Sequence, residues 1–396
     1  MYIFLTIVKS YLKDVLRSTF CVGKFKLKAC NMITLISNIE CYCPKYAGQR
    51  DILLVGDKIY KIGKPDSFRE YAKVADFVPG NGLLAFPGIL DGHVHITGGG
   101  GEAGFISRIA EIDIQDIIQA GITTVVGLLG ADHLTRSLTG LLAKAKALEA
   151  QGITTYLYVG SYAVPIITFT SSITGDMVLI DKVIGVGEIA ISDHRSSHPR
   201  MKELLQVATQ AHLGGLISGK AGIVHFHVGD GKAGMGPLVE LADASDLPIE
   251  QFVPTHVNRN PRLFQQALDY CRLGGYIDLT SGEEAGIKVP DAIQMLMENQ
   301  VDLQKVTISS DANGSVPEGG IGEIQTLYDD IVECITGKQI PVETAFSMVT
   351  ENVAKQLTLF PQKGVLSEGS DADILITDSD FTLRRLYGKG KLLINT

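Results

Sequence analysis

Hydrophobic and polar positions change their spacing twice along the chain. Short apolar runs at residues 33–36, 51–55 and 58–62 are broken by Gly, Pro and Asp, the pattern of strands in a small β-domain. Runs of the same kind return at 372–376 and 391–394, with turns at Gly369-Ser370-Asp371 and Gly388-Lys389-Gly390. The two chain ends are therefore expected to share a sheet. Between them, β-rich runs at 85–95, 122–130, 154–162, 183–191, 222–230, 252–258, 276–281 and 306–311 alternate with amphipathic helical stretches, clearest at 138–149, 201–211, 261–271 and 290–299. Continuous apolar strands separated by helices describe a parallel sheet buried on both faces. Eight of them over ~230 residues predict an α/β fold, a (β/α)8 TIM-type barrel. The expected division is a barrel over residues 86–360 and a small β-sandwich domain formed from both chain ends, 32–85 and 361–396. A doubly wound open sheet is the alternative, but the four glycines at 98–101 lack the GxGxxG spacing of a dinucleotide turn.

Composition narrows the class. With 45% hydrophobic and 20% charged residues, the 396-residue chain has globular composition, which excludes disordered and collagen-like readings. A formal charge of -9 gives no field to attract polyanions, so nucleic acid is not an expected partner. Cys21, Cys30, Cys41, Cys43, Cys271 and Cys334 have no CxxC spacing and are too sparse for a disulfide scaffold. A cytoplasmic location is expected. Residues 1–31 place an apolar run, Met1 to Val8, before most of their cations, the reverse of a signal peptide. They read as an N-terminal extension to a domain that begins near Met32. No run approaches ~18 uninterrupted apolar residues, so no membrane partner is expected.

Metal-capable side chains recur at the C-terminal ends of the predicted barrel strands, the face on which such barrels build active sites. His93 and His95 close the first run and, two apart in an extended segment, project to one side. Glu188 interrupts the apolar run 183–191, where a buried carboxylate requires a cation, a proton or a partner Arg. His225 and His227 end the fifth run, His256 the sixth and Asp311 the eighth. Singly, each reads as well as a core histidine or a turn aspartate. Together, imidazoles and carboxylates converging on one rim favour a metal site, and this ligand chemistry suits Zn2+. There are ligands enough for two ions with a bridging carboxylate, and a hydroxide held between them would be a nucleophile at neutral pH.

The strings Asp91-Gly92-His93-Val94-His95, GGGGEAG at 98–104, SDHRS at 192–196 and THVNRN at 255–260, with Ser310-Asp311 and Asn313-Gly314-Ser315, resemble the amidohydrolase superfamily and, within it, the isoaspartyl dipeptidases. The resemblance runs from about Met32 to the C-terminus. It implies a binuclear zinc metallopeptidase that hydrolyses β-aspartyl dipeptides. His93 and His95 would bind one zinc, His227 and His256 the other, with Glu188 and a hydroxide bridging them and Asp311 beside the first as ligand and proton acceptor. Tyr162 would polarise the scissile carbonyl and Glu102 would meet the substrate ammonium. Arg195, Arg259 and Ser315 would hold carboxylates, with Gly100 in the substrate-binding set. Guanidinium groups suit carboxylates and a lone acid suits an ammonium on independent physical grounds. The family also implies a homo-oligomer, often an octamer.

Two positions depart from the family pattern. Well-known family members bridge the ions with a carboxylated lysine; here Glu188 stands in the matching stretch, as a glutamate does in other amidohydrolases, and the nearby Lys182 lies near the start of the strand. Ala131 stands where a substrate-contacting Thr is common. Another amidohydrolase activity, such as deacylation of an N-acyl amino acid or opening of a cyclic amide, is one alternative. A non-catalytic scaffold is the other.

Overall fold

The strand Val183–Ile191 is buried at all nine positions, as a strand covered on both faces must be. It lies in the middle of the barrel, which the computed structural model describes within residues 33–316 and 320–396. The proposed extension at 1–31 falls outside the described residues. Five strands open the chain: β1 (Ile33–Tyr42), β2 (Tyr46–Val55), β3 (Lys58–Gly63), β4 (Asp76–Pro79) and β5 (Leu84–Pro87). The barrel strands follow: β6 (Ile89–Val94), β7 (Ile122–Gly127), β8 (Thr154–Val159), β9 (Val183–Ile191), β10 (Ile223–Val228), β11 (Phe252–Thr255), β12 (Ile277–Thr280) and β13 (Val306–Ser309). A short hairpin, β14 (Ser315–Val316) and β15 (Gly320–Ile321), precedes the last strands β16 (Ile374–Thr377), β17 (Leu383–Gly388) and β18 (Lys391–Asn395).

Strands β6 to β11 form one parallel sheet in chain order, and β12 pairs with β13. The ring is continued at both seams. The Val257 amide donates to the Asp278 carbonyl, and Val94 bridges Ala312 in parallel. The first and eighth strands are also stapled by the buried Asp91 carboxylate, which accepts from the amides of His93 and Ser310, each at 3.2 Å, and from the Ser310 hydroxyl. The result is the (β/α)8 barrel. Its helices include all four expected, observed as Leu138–Gln151, Met201–Ser218, Pro261–Arg272 and Val289–Glu298. The third of these shows why the sequence turns where it does: the Asn260 side chain accepts from the Leu263 amide, and Pro261 occupies the first turn, where no donor is missed.

The expected first barrel strand, 85–95, divides at Gly88. Its first part, β5, pairs with β1 in parallel and with β16 antiparallel, so it belongs to the sheet of the chain ends. A Cβ at residue 88 would come within 2.3 Å of the Thr123 hydroxyl oxygen, so only glycine lets the backbone cross from one sheet to the other here. The end sheet runs β18-β17-β16-β5-β1-β2-β3, with β4 beside β1. It encloses its own apolar cluster, including Ile36, Ile39, Ile52 and Ile374, and forms the small β-sandwich domain.

A buried ion cluster ties that domain's two chain segments. Lys363 Nζ lies 2.9 Å from Asp371 and 2.6 Å from Asp373, with all three side chains at most 7% exposed, and Asp371 also meets Lys58 from β3. Breaking a buried pair on one side leaves an uncompensated charge. Lys363→Met should therefore lower the free energy of urea unfolding by about 3–5 kcal/mol; a loss below ~1 kcal/mol would show that the cluster bears no such weight.

Candidate metal centre

The six proposed ligands come from five strands: His93 and His95 from the end of β6, Glu188 from within β9, His227 from β10, and His256 and Asp311 from just beyond β11 and β13. The glycine before Glu188 sets its position: a Cβ at Gly187 would sit 2.8 Å from the His225 Cβ, so β9 can approach β10 this closely only without a side chain there. His256 and Asp311 follow β11 and β13 and take left-handed backbone conformations, with φ of 61° and 51°. Such conformations persist only where the surroundings enforce them. Around His256 the buried Asn258 does so, donating to the carbonyls of Thr280 and Ile287 and accepting from the Thr280 amide, each at 2.9 Å.

Glu188 and Asp311 stand at the centre. The Asp311 Oδ1 atom is 3.2 Å from His93 Nε2 and 3.0 Å from His95 Nε2. The Glu188 oxygens are 3.6 Å from His93 Nε2, 3.4 Å from His95 Nε2, 3.3 Å from His227 Nδ1 and 3.6 Å from His256 Nε2. Close as they are, both Glu188 oxygens, Asp311 Oδ1, His93 Nε2 and His256 Nε2 are buried and make no hydrogen bond. Buried polar atoms are ordinarily satisfied, and here the unsatisfied ones face each other. Ligands held tetrahedrally ~2.0–2.1 Å from a zinc ion lie ~3.3 Å apart, the spacing observed. Two groups of ligand atoms, from His93, Glu188 and His256 and from His93, His95 and Asp311, each lie within 4.8 Å of one another. Either group could hold a metal ion.

The electrostatics agree. Burial opposes charge on His93, but Glu188 and Asp311 outweigh it and raise its pKa well above the ordinary value; His95, against the same burial, is pushed up to about 9. The two carboxylates, despite burial, are held well below the usual range, with the His93 charge the first factor in each case. Burial, with Arg259 next, lowers His256 to about 3. A cation among these groups would neutralise both acids.

The far nitrogens of three of these rings are fixed. His93 Nδ1 is 2.8 Å from His225 Nε2, His256 Nδ1 is 2.7 Å from the Thr280 hydroxyl, and His227 Nε2 is 3.0 Å from Asp193 Oδ2. Such outer partners orient metal-binding imidazoles. Asp193 also grips Arg195 through two contacts, of 3.0 and 2.9 Å, and that guanidinium lies over the Tyr162 ring, 5.1 Å from its centre. Tyr162 lies three residues beyond β8, not within it, and its hydroxyl is 2.9 Å from His227 Nδ1. Burial, then the Glu188 charge, raises its pKa well above the ordinary tyrosine value.

The cleft above the cluster holds about 360 Å³ of empty space, including its open mouth. Glu102 faces it, 3.5 Å from Arg195 Nη1 and accepting from the Ser315 hydroxyl at 3.2 Å. Arg259 Nη1 lies 3.4 Å from His227 Nε2. Gly100 lines the cleft with φ of 72°, and a Cβ there would meet the Ser107 carbonyl at 2.3 Å. Its loop is held by Arg136, which donates to the carbonyls of Gly99 and Ile109 at 2.8 Å. All twelve residues singled out from the sequence therefore meet at one end of the barrel. Lys182 does not: its Nζ is bound to Thr155 and Glu149. Sequence reasoning gave no role to Asp193, Arg136 or Thr280. For Asp193 the signal was its place two residues before Arg195; for the other two there was none.

No family model matches the chain. A curated imidazolonepropionase from Colwellia psychrerythraea is 25% identical over 387 residues, covering 87% of this chain and 88% of that protein. Among solved structures, dihydropyrimidinase from Brevibacillus agri NCHU1002 shares the fold at 14% identity, with a TM-score of 0.66 over 92% of this chain and 95% of that one. The beta-aspartyl dipeptidase from the thermophilic, keratin-degrading Fervidobacterium islandicum AW-1 is 43% identical. Its TM-score is 0.87, covering 92% of this chain and 97% of that one; it has also been solved with a beta-Asp-Leu dipeptide bound. With that identity across almost the whole of the relative, the chain belongs to the beta-aspartyl dipeptidase family of the amidohydrolase superfamily.

Proposed function

We propose that the protein is a metal-dependent hydrolase of β-aspartyl dipeptides. The observation that carries the reading is the placing of Glu102 3.5 Å from Arg195 at the cleft mouth. A β-aspartyl residue keeps its ammonium and α-carboxylate on one carbon, so an acid and a guanidinium side by side match that zwitterion. An α-linked Asp dipeptide has the same charges, but its free carboxylate is one carbon further from the ammonium. Arg259 and Ser315 are left for the carboxylate of the leaving residue. Asp193 holds Arg195 by two of its nitrogens and leaves Nη1 for substrate.

Within this reading His93, His95 and Asp311 would hold one Zn2+ and His227 and His256 a second, and Glu188 would offer its two oxygens to both. Two such ions, when bound, supply Lewis acidity and make a coordinated water a nucleophile near neutral pH. With Oδ1 facing the imidazoles, Asp311 Oδ2 takes the proton of the attacking water as the water oxygen bonds to the scissile carbonyl carbon. The same atom returns it to the departing nitrogen as the C–N bond breaks. Tyr162, kept protonated by its burial, donates to the carbonyl oxygen as negative charge develops there. Glu188 offers a carboxylate bridge without the carbon dioxide that a carboxylated lysine needs. A scaffold without activity has no use for an acid of this kind beside unsatisfied imidazoles. A homo-oligomeric assembly and a cytoplasmic location belong to the same reading, the latter in keeping with the four described cysteines, all free.

Assay of β-Asp-Leu against α-Asp-Leu should give kcat/KM at least ~100-fold higher for the β-linked peptide, about 2.7 kcal/mol in transition-state binding; equal rates would refute the zwitterion match. Asp311→Asn should lower kcat by ~10²–10⁴-fold, the range for loss of a general acid–base, while zinc content measured on the same sample falls far less. Parallel loss of zinc and turnover would reduce Asp311 to a ligand alone.

A further inference from the structure

We infer that His225 is a positioning residue that selects the tautomer of His93 and so sets the affinity of the cation His93 holds. The inference rests on the two-cation reading above. In β10 the alternation of the strand puts His225 and His227 on the same side. His227 reaches the central carboxylates, while His225, one step deeper, meets His93 across the barrel, Nε2 to Nδ1 at 2.8 Å. The contact is built in. His225 is 2% exposed, its ring stacks on Tyr158 with centres 5.2 Å apart, and the absent side chain at Gly187 makes room for its Cβ.

The chemistry of two facing imidazoles then decides the matter. His93 Nε2 points at Glu188 and Asp311 and has no hydrogen-bond partner. A nitrogen that ligates a cation must be free of its proton, so in the ion-competent ring the proton sits on Nδ1 and His225 Nε2 accepts it. The opposite polarity, with His225 donating, moves the His93 proton to Nε2 and blocks the ligand atom. Metal-binding histidines more often give this proton to a carboxylate or carbonyl, which can only accept; an imidazole can do either. In the accepting state His225 carries its own proton on Nδ1, and this buried atom has no partner, nor has the nearby Tyr158 hydroxyl. The unpaired donor weakens the preference for the competent polarity, and cation binding at His93 overcomes it.

Zinc titrations against a chromophoric chelator, on metal-free full-length protein, test this with His225→Leu and His225→Gln. The glutamine carbonyl reaches the place of Nε2 and can accept; leucine cannot. His225→Leu should weaken one zinc equivalent by ~10–100-fold, the usual effect of losing an outer partner, and His225→Gln should recover most of it. Should His225→Leu lack a native circular dichroism spectrum, His225→Phe, which keeps a ring against Tyr158, takes its place. Unchanged affinity in both variants, or equal weakening in both, overturns the inference. A parent protein that binds no zinc overturns instead the reading of the site.

Discussion

Everything at the barrel mouth follows from the burial of two carboxylates together. Glu188 is entirely enclosed and Asp311 nearly so, and each is within 3.6 Å of at least two imidazole nitrogens. Moving such charges out of water costs several kcal/mol each unless positive charge is supplied. Among the described residues the ion-pair partners of these two carboxylates are imidazoles, not lysine or arginine. The fold supplies nitrogens, which carry positive charge as protons or gather it as metal ions. Left-handed backbone at His256 and Asp311, the glycine beneath His225 and the Asp91 staple are what it takes to hold the ligands in that arrangement.

The barrel was legible because its signal is repeated. Each buried strand is an apolar run and each helix an amphipathic one, and small errors at the ends do not change the count. The boundary between the domains was less legible, because Phe86 and Leu90 are alike in sequence; the division at Gly88 is set by backbone crowding against Thr123, a contact between segments 35 residues apart. The pairing of the chain ends could be expected from similar strand patterns, but the order β16-β5-β1 could not. It depends on hydrogen bonds that no local pattern encodes.

The candidate ligands stand out in the sequence for a related reason: a histidine or glutamate inside an apolar strand is a conflict that only a partner resolves. The residues supporting them do not. Asp193 and Thr280 lie where an aspartate and a threonine are ordinary, after a strand or near its end, and only the folded structure brings them to His227 and His256. His225 stood in plain view beside His227, but alternation shows only that the two share a side. That one reaches the carboxylates and the other reaches His93 is a matter of depth within the barrel. The family resemblance added the roles of Glu102, Arg195 and Arg259, and the structure adds that the first two lie side by side.

The most direct test of the paired-cation claim is stepwise addition of zinc to chelator-stripped protein while β-Asp-Leu hydrolysis is followed. Activity should be absent at the start and should climb until two equivalents per chain are bound. Full activity in the stripped protein, or saturation of activity with no zinc retained, would contradict the account.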